Sequence, residues 1–176
     1  SLSEKSISSY LNALRRIYVV EDLPAWTPVL RSKTVIRTSP KRHFVDPSIA
    51  AAALYASPSE LLEDFRTFGF LFESMCVRDL RVYTQAIGGE VFHYQDKRGL
   101  EVDTVVHLHD GRWGGIEVKM GQVEADKAAD NLRELKDSID LDKMSGPSFL
   151  MVLTAGQLAY RRSDGVLMVP IGCLKD

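Results

Sequence analysis

Two carboxylates and an amine, close together in the chain, are the side chains here best suited to chemistry. The run Gly99-Leu100-Glu101-Val102-Asp103 is followed by Ile116-Glu117-Val118-Lys119, with Glu117 fourteen residues after Asp103. Side chains alternate across a strand, so Glu117 and Lys119 share one face while Ile116 and Val118 take the other. Asp110-Gly111 between them is a hairpin signal, which makes the Asp103 strand the antiparallel neighbour of the Glu117 strand. The three groups are therefore expected to converge at one spot on a sheet. Hard carboxylate oxygens suit Mg²⁺ or Mn²⁺, and a lysine beside them can orient or deprotonate water attacking a phosphodiester. The expected catalytic groups are Asp103, Glu117 and Lys119, with Asp103 and Glu117 as metal ligands. The plain alternative is a pair of surface acids, with Lys119 neutralising Glu117 as its neighbour on the strand.

The elements that must position these groups are legible in the apolar period. Segment 3–18 reads as a helix capped by Ser3, with Ile7, Tyr10, Leu11, Leu14 and Ile17 at helical spacing. Residues 33–37, Lys-Thr-Val-Ile-Arg, have a β-branched centre and predict a short strand ahead of a basic turn, Ser39-Pro40-Lys41-Arg42. A helix followed by a ribbon with a basic tip corresponds to the second half of a winged helix, so 1–45 is assigned to a partial winged helix. Asp46-Pro47 and the capping box Ser57-Pro58-Ser59-Glu60 start two helices. Gly69 is expected to interrupt or offset the second, with helical period resuming from Phe70 to about Gln85. Beyond Gly88-Gly89 the period becomes two, predicting strands over 90–96, 100–108 and 112–119. In the second of these, Leu100, Val102, Thr104, Val106 and Leu108 are expected to share one face. A helix over 123–139, a buried strand at 149–153 and a final hairpin around Ser163-Asp164-Gly165 complete the chain.

The chain has 176 residues, a formal net charge of −2 and 45% apolar residues, enough for a core without disulfides. Cys76 and Cys173 lie in apolar settings and are expected to be reduced core thiols. No apolar run is long enough for a membrane span and no leader is evident, so a cytoplasmic protein is expected. The opening segment reads as the middle of an element, which suggests a piece of something longer. Residues 1–45 hold eight Lys or Arg against three acids. The basic stretch Arg31, Lys33, Arg37, Lys41 and Arg42 is the candidate nucleic-acid contact, since such a wing can follow a phosphate backbone. A solvated loop or a protein-docking surface fits it equally. His107 and His109 share a strand face, but without a third ligand they read as an exposed strand end rather than a metal site.

Taken together, Glu-Val-Asp, a hairpin and Glu-Val-Lys in an αβββαβ order resemble the PD-(D/E)XK nuclease superfamily. The chain is more similar still to the domain of unknown function found at the C-terminus of many prokaryotic AAA-type ATPases, downstream of a winged helix. Ser9-Tyr10-Leu11, Lys41-Arg42-His43-Phe44-Val45-Asp46-Pro47 and Gly69-Phe70-Leu71-Phe72-Glu73 carry that resemblance, which spans about 3–153. It implies an α/β fold with a restriction-endonuclease-like core and a mixed sheet over 46–176. It also implies an ATPase domain upstream and a helix glutamate, here Glu73, assisting the metal cluster. Val102 stands where the name-giving proline would be. No GxxxxGK[ST] occurs, so these residues contain no P-loop for ATP. Two functions are expected on this basis: metal-dependent hydrolysis of nucleic acid, or a non-catalytic module that binds nucleic acid or protein and is coupled to the ATPase.

Overall fold

The computed structural model describes residues 3–28 and 39–174. In chain order the elements are α1 (Glu4–Arg16), β1 (Val20–Leu23), β2 (Lys41–Phe44), α2 (Pro47–Ala53), α3 (Pro58–Glu63) and α4 (Phe65–Ala86). These are followed by β3 (Gly89–Gln95), β4 (Glu101–Leu108), β5 (Trp113–Lys119), α5 (Gln122–Asp137), β6 (Phe149–Thr154), β7 (Tyr160–Arg161) and β8 (Leu167–Pro170). From α4 to β6 the order is αβββαβ, as expected, and the fold is mixed α/β. Six strands form one sheet in the order β3-β4-β5-β6-β8-β7. The β3–β4–β5 meander is antiparallel, whereas β6 runs parallel to both β5 and β8. Helices cover both faces, which is why β5 is buried along almost its whole length. Leu132, Leu135, Ala129, Val105 and Trp113 pack on the α5 side. Phe72, Cys76, Leu80, Ile116 and Leu153 pack on the α4 side, with Leu23 of β1 among them.

Local chemistry explains the helix starts. The Ser3 hydroxyl accepts from the Ser6 amide, and Asp46 accepts from the Ser48 amide ahead of Pro47. Ser57 and Glu60 form the reciprocal capping box. The helix break lies elsewhere than expected. α4 runs through Gly69 without interruption, and the chain bends instead at Asp64, whose carboxylate caps α4 on the Thr67 amide. A glycine inside a helix costs about 1 kcal/mol relative to alanine, which is tolerable in a 22-residue helix anchored by seven buried side chains.

Three further expectations are corrected. Lys41 and Arg42 are not at a turn: they lie in β2, paired with β1 in the register Leu23↔Lys41 and Asp22↔Arg42. Arg31, Lys33, Arg37 and the strand expected over 33–37 lie outside the described residues. The single-face alternation of β4 also fails, because the β3–β4 register shifts between Phe92 and Tyr94. The extra residue of a bulge inverts the facing of the residues beyond it. Val102 accordingly joins the α5-side core and Val106 the α4-side core. Cys76 is buried and free as expected, but Cys173 is free and exposed.

The ribbon of β1 and β2 is tied to the sheet. The Trp26 amide donates to the His93 carbonyl at 2.6 Å, and the His93 amide donates to the Pro24 carbonyl at 2.9 Å. The Trp26 ring then stacks against Trp113 with centroids 4.7 Å apart. Among the described residues no helix is long and apolar enough to cross a membrane.

Candidate active site

The expected convergence occurs at the end of the β4–β5 ladder. Continuing the register Thr104↔Ile116 by one residue sets Asp103 opposite Glu117. There the ladder gives way to a side chain: the Val118 amide donates to Asp103 Oδ2 at 2.9 Å. Lys119 Nζ donates to Asp103 Oδ2 and to Glu117 Oε2, each at 2.7 Å. Glu117 is 2% exposed. Its other oxygen accepts from Asn131 Nδ2 of α5 at 3.3 Å. Lys41 Nζ of β2 approaches the second Asp103 oxygen, Oδ1, at 3.7 Å.

Burial and neighbours push the two carboxyls apart. Burial, reinforced by the charge and hydrogen bond of Asp103, raises Glu117 to about 8. Burial would raise Asp103 too. It is overcome by the hydrogen bond from Glu117 and by the charges of Lys119 and Lys41, which hold Asp103 at about 2. Burial disfavours the Lys119 charge, but the two carboxylates more than reverse this and keep it above the ordinary lysine range. The opposed shifts favour one proton shared within the pair, beside the Lys119 ammonium, over two full carboxylates.

Glu73 of α4 is brought to the same place without completing a carboxylate triad. It lines a 260 Å³ cleft together with Lys119, Arg66 and Phe70. Burial and the Asp103 charge raise its pKa, while Lys41 and Lys119 oppose this. Among the described residues no group of three or more His, Cys, Asp or Glu side chains is gathered to hold a metal ion. The donor set still suits Mg²⁺ or Mn²⁺ in kind, since such ions are commonly held by one or two carboxylates with waters and phosphate oxygens. The Lys119 ammonium contacts both carboxylates that would hold such an ion.

The basic residues expected to meet nucleic acid behave differently. Lys41 faces Asp103, and Arg42, on the opposite face of β2, pairs with Asp22 at 3.4 Å. Asn131, which touches Glu117, and two buried histidines on the Lys41 side of the site are not evident from the sequence. Asn131 lies in a helix whose pattern speaks only of packing. His43 lies two residues beyond Lys41 and so on the same strand face; it is buried, with Nδ1 3.4 Å from Ser74 Oγ. Burial, followed by the charges of Lys41 and Arg81, pushes His43 down to about 4, against the pull of Asp103. His93 is 1% exposed and is pushed down by burial and Lys41. The alternation of Lys41 and His43 was the one available signal for the first of these histidines. His107 meets Trp26, whose Nε1 lies 3.4 Å from Nδ1, well along the strand from Asp103.

Residues 1–60 match the family model described as Domain of unknown function (DUF8612), which takes in Lys41 and His43. No curated protein and no solved structure matches the chain. Residues 68–174, which include Glu73, Asp103, Glu117, Lys119 and Asn131, match the model described as Domain of unknown function (DUF4143). That is more than half of the chain, and the chain belongs to this family.

Proposed function

We propose that the Asp103–Glu117–Lys119 cluster is the centre of a PD-(D/E)XK-type site for metal-dependent hydrolysis of nucleic acid phosphodiesters, in a module attached to a AAA-type ATPase. The observation that carries this reading is the shared ammonium contact: Lys119 Nζ stands 2.7 Å from carboxylates on two adjacent strands. Asp103 and Glu117 would hold Mg²⁺ or Mn²⁺. When bound, the ion would supply charge withdrawal from the phosphate and acidify a water. Asp103 is ready as an anion, whereas Glu117 must give up its proton to become a ligand. Lys119, which contacts both carboxylates, would orient the attacking water. Asn131 holds the Glu117 carboxyl in place, and Lys41 does the same for Asp103.

One observation favours a second reading, a non-catalytic module that uses the fold to bind nucleic acid or protein. The Lys119 ammonium already engages both carboxyl groups, and Glu73 does not join them in a triad.

Incubation of plasmid and single-stranded substrates with Mg²⁺ or Mn²⁺ separates the two readings. Hydrolysis is expected from the wild type and lost in Asp103→Asn and Lys119→Ala; cleavage that persists in both variants reports a contaminant. Mn²⁺ should also raise the melting temperature in a manner that Asp103→Asn abolishes, because a ligand selective for the native state stabilises it. Salt-dependent retardation of nucleic acid without cleavage and without a Mn²⁺ shift selects the second reading.

A further inference from the structure

Phe65 and Phe70, on the first turns of α4, are 64% and 59% exposed. Rings of this size left in water next to a candidate catalytic cluster call for an account. Both rings line the cleft that ends on Lys119 and Glu73, with the β5 end as its opposite wall. The Arg66 guanidinium lies 5.9 Å from the Phe70 ring centroid, where a cation rests on an aromatic face and still presents donors outward. Two flat apolar surfaces, a planar cation and an open cleft that ends on Lys119 of the Asp103–Glu117–Lys119 cluster thus occur side by side.

We infer that this cleft takes single-stranded nucleic acid, with unpaired bases stacking on Phe65 and Phe70 and Arg66 meeting the backbone between them. The inference rests on the hydrolytic reading of the adjacent cluster and narrows its substrate. In a duplex the faces of the bases are occupied by one another and only their edges are offered, so an exposed aromatic platform selects unpaired bases. The cleft is small, 260 Å³, on the scale of a single base rather than of a long ligand. Charge plays a small part here. Arg66 and Lys119 face Glu73 and Glu124 across the same cleft, so stacking supplies the affinity and its salt dependence is shallow.

The test is fluorescence anisotropy of a labelled oligothymidylate and of a mixed-sequence duplex of equal length. The full chain is used with EDTA present, so that binding is read without cleavage. The single strand is expected to bind more tightly than the duplex. Phe65→Ala and Phe70→Ala should each weaken it on the order of tenfold or more, and Phe70→Trp should restore the affinity. Both rings are largely exposed, so the alanine variants should melt as the wild type does. Equal affinity for duplex and single strand, alanine variants indistinguishable from wild type, or no binding of either probe each overturns the inference. A wild type that binds the single strand as described but leaves it intact in Mn²⁺ sinks the hydrolytic reading and keeps the platform. Cleavage that depends on Asp103 but not on either ring does the reverse.

Discussion

Replacing Glu117 by glutamine tests whether the buried pair shares a proton. The glutamine side chain has the shape of the protonated acid: its amide N–H₂ can face Asp103, and its carbonyl oxygen can accept from Lys119 or Asn131. Glu117 is raised from an ordinary 4.5 to about 8 in the folded state, so the native protein binds more protons than the unfolded chain between those values. Its contribution to stability is therefore complete below about pH 4.5 and is lost as pH rises through 8. At 1.36 kcal/mol per pKa unit, the loss in a residue this buried amounts to at most about 5 kcal/mol. His43 acts with the opposite sign: it is lowered from 6.5 to about 4, so the folded state gains stability as pH rises across that interval. Because both proteins contain His43, the difference between their profiles isolates Glu117. Urea denaturation of wild type and Glu117→Gln at pH 5, 7 and 9 is the assay. The two are expected to be close at pH 5, with the variant gaining on the wild type by a slope approaching one proton up to pH 8. Parallel profiles would refute the shared proton and mean that Lys119 alone neutralises an ionised Glu117.

Other outcomes are specific to single positions. The melting shift produced by Mn²⁺ should be larger at pH 8.5 than at pH 6.5, because ligation must displace the Glu117 proton; a shift that falls over this range contradicts the assignment. Gly69→Ala should raise stability by about 0.5–1 kcal/mol. It sits inside α4, and an added Cβ would meet only Met120 Cε, at an ordinary 3.7 Å. Thermal melting checks this, and a lowered melting temperature would mean the site needs glycine for some other reason. Gly114→Ala should cost about 1–3 kcal/mol, because its Cβ would run into the Phe149 ring from β6. Combining it with Phe149→Leu should recover part of that loss in chemical denaturation, and strict additivity would count against the collision.

The helix starts were legible because their causes are local. Ser3, Asp46 and the Ser57–Glu60 pair each satisfy amides within three residues, so sequence spacing is the whole of the physics. The meander was legible for a similar reason: Asp110-Gly111 dictates a tight reversal, and Gly111 adopts the positive φ of +90° that such a turn requires. Once the reversal is set, Asp103 must approach Glu117, and the period of two brings Lys119 to the same place. The helix break was not legible, because the low helix propensity of Gly69 is local and the packing that overrides it is not. The buried face of α4, from Leu71 to Thr84, holds the helix straight through it.

By itself, then, the amino-acid order determined the αβββαβ succession, the caps and the meeting of Asp103, Glu117 and Lys119, all of which depend on neighbours in the chain or on one short hairpin. Tertiary structure decided what surrounds that meeting. Lys41 and Asn131 reach it from β2 and α5, and no spacing rule links those elements to β4. The β-bulge that sends Val102 and Val106 to opposite cores was equally hidden, because register between strands is settled by packing on both faces of the sheet. The same holds for protonation: a glutamate two residues from a lysine reads as an ion pair in sequence, and only burial at 2% exposure beside a second carboxylate raises its pKa.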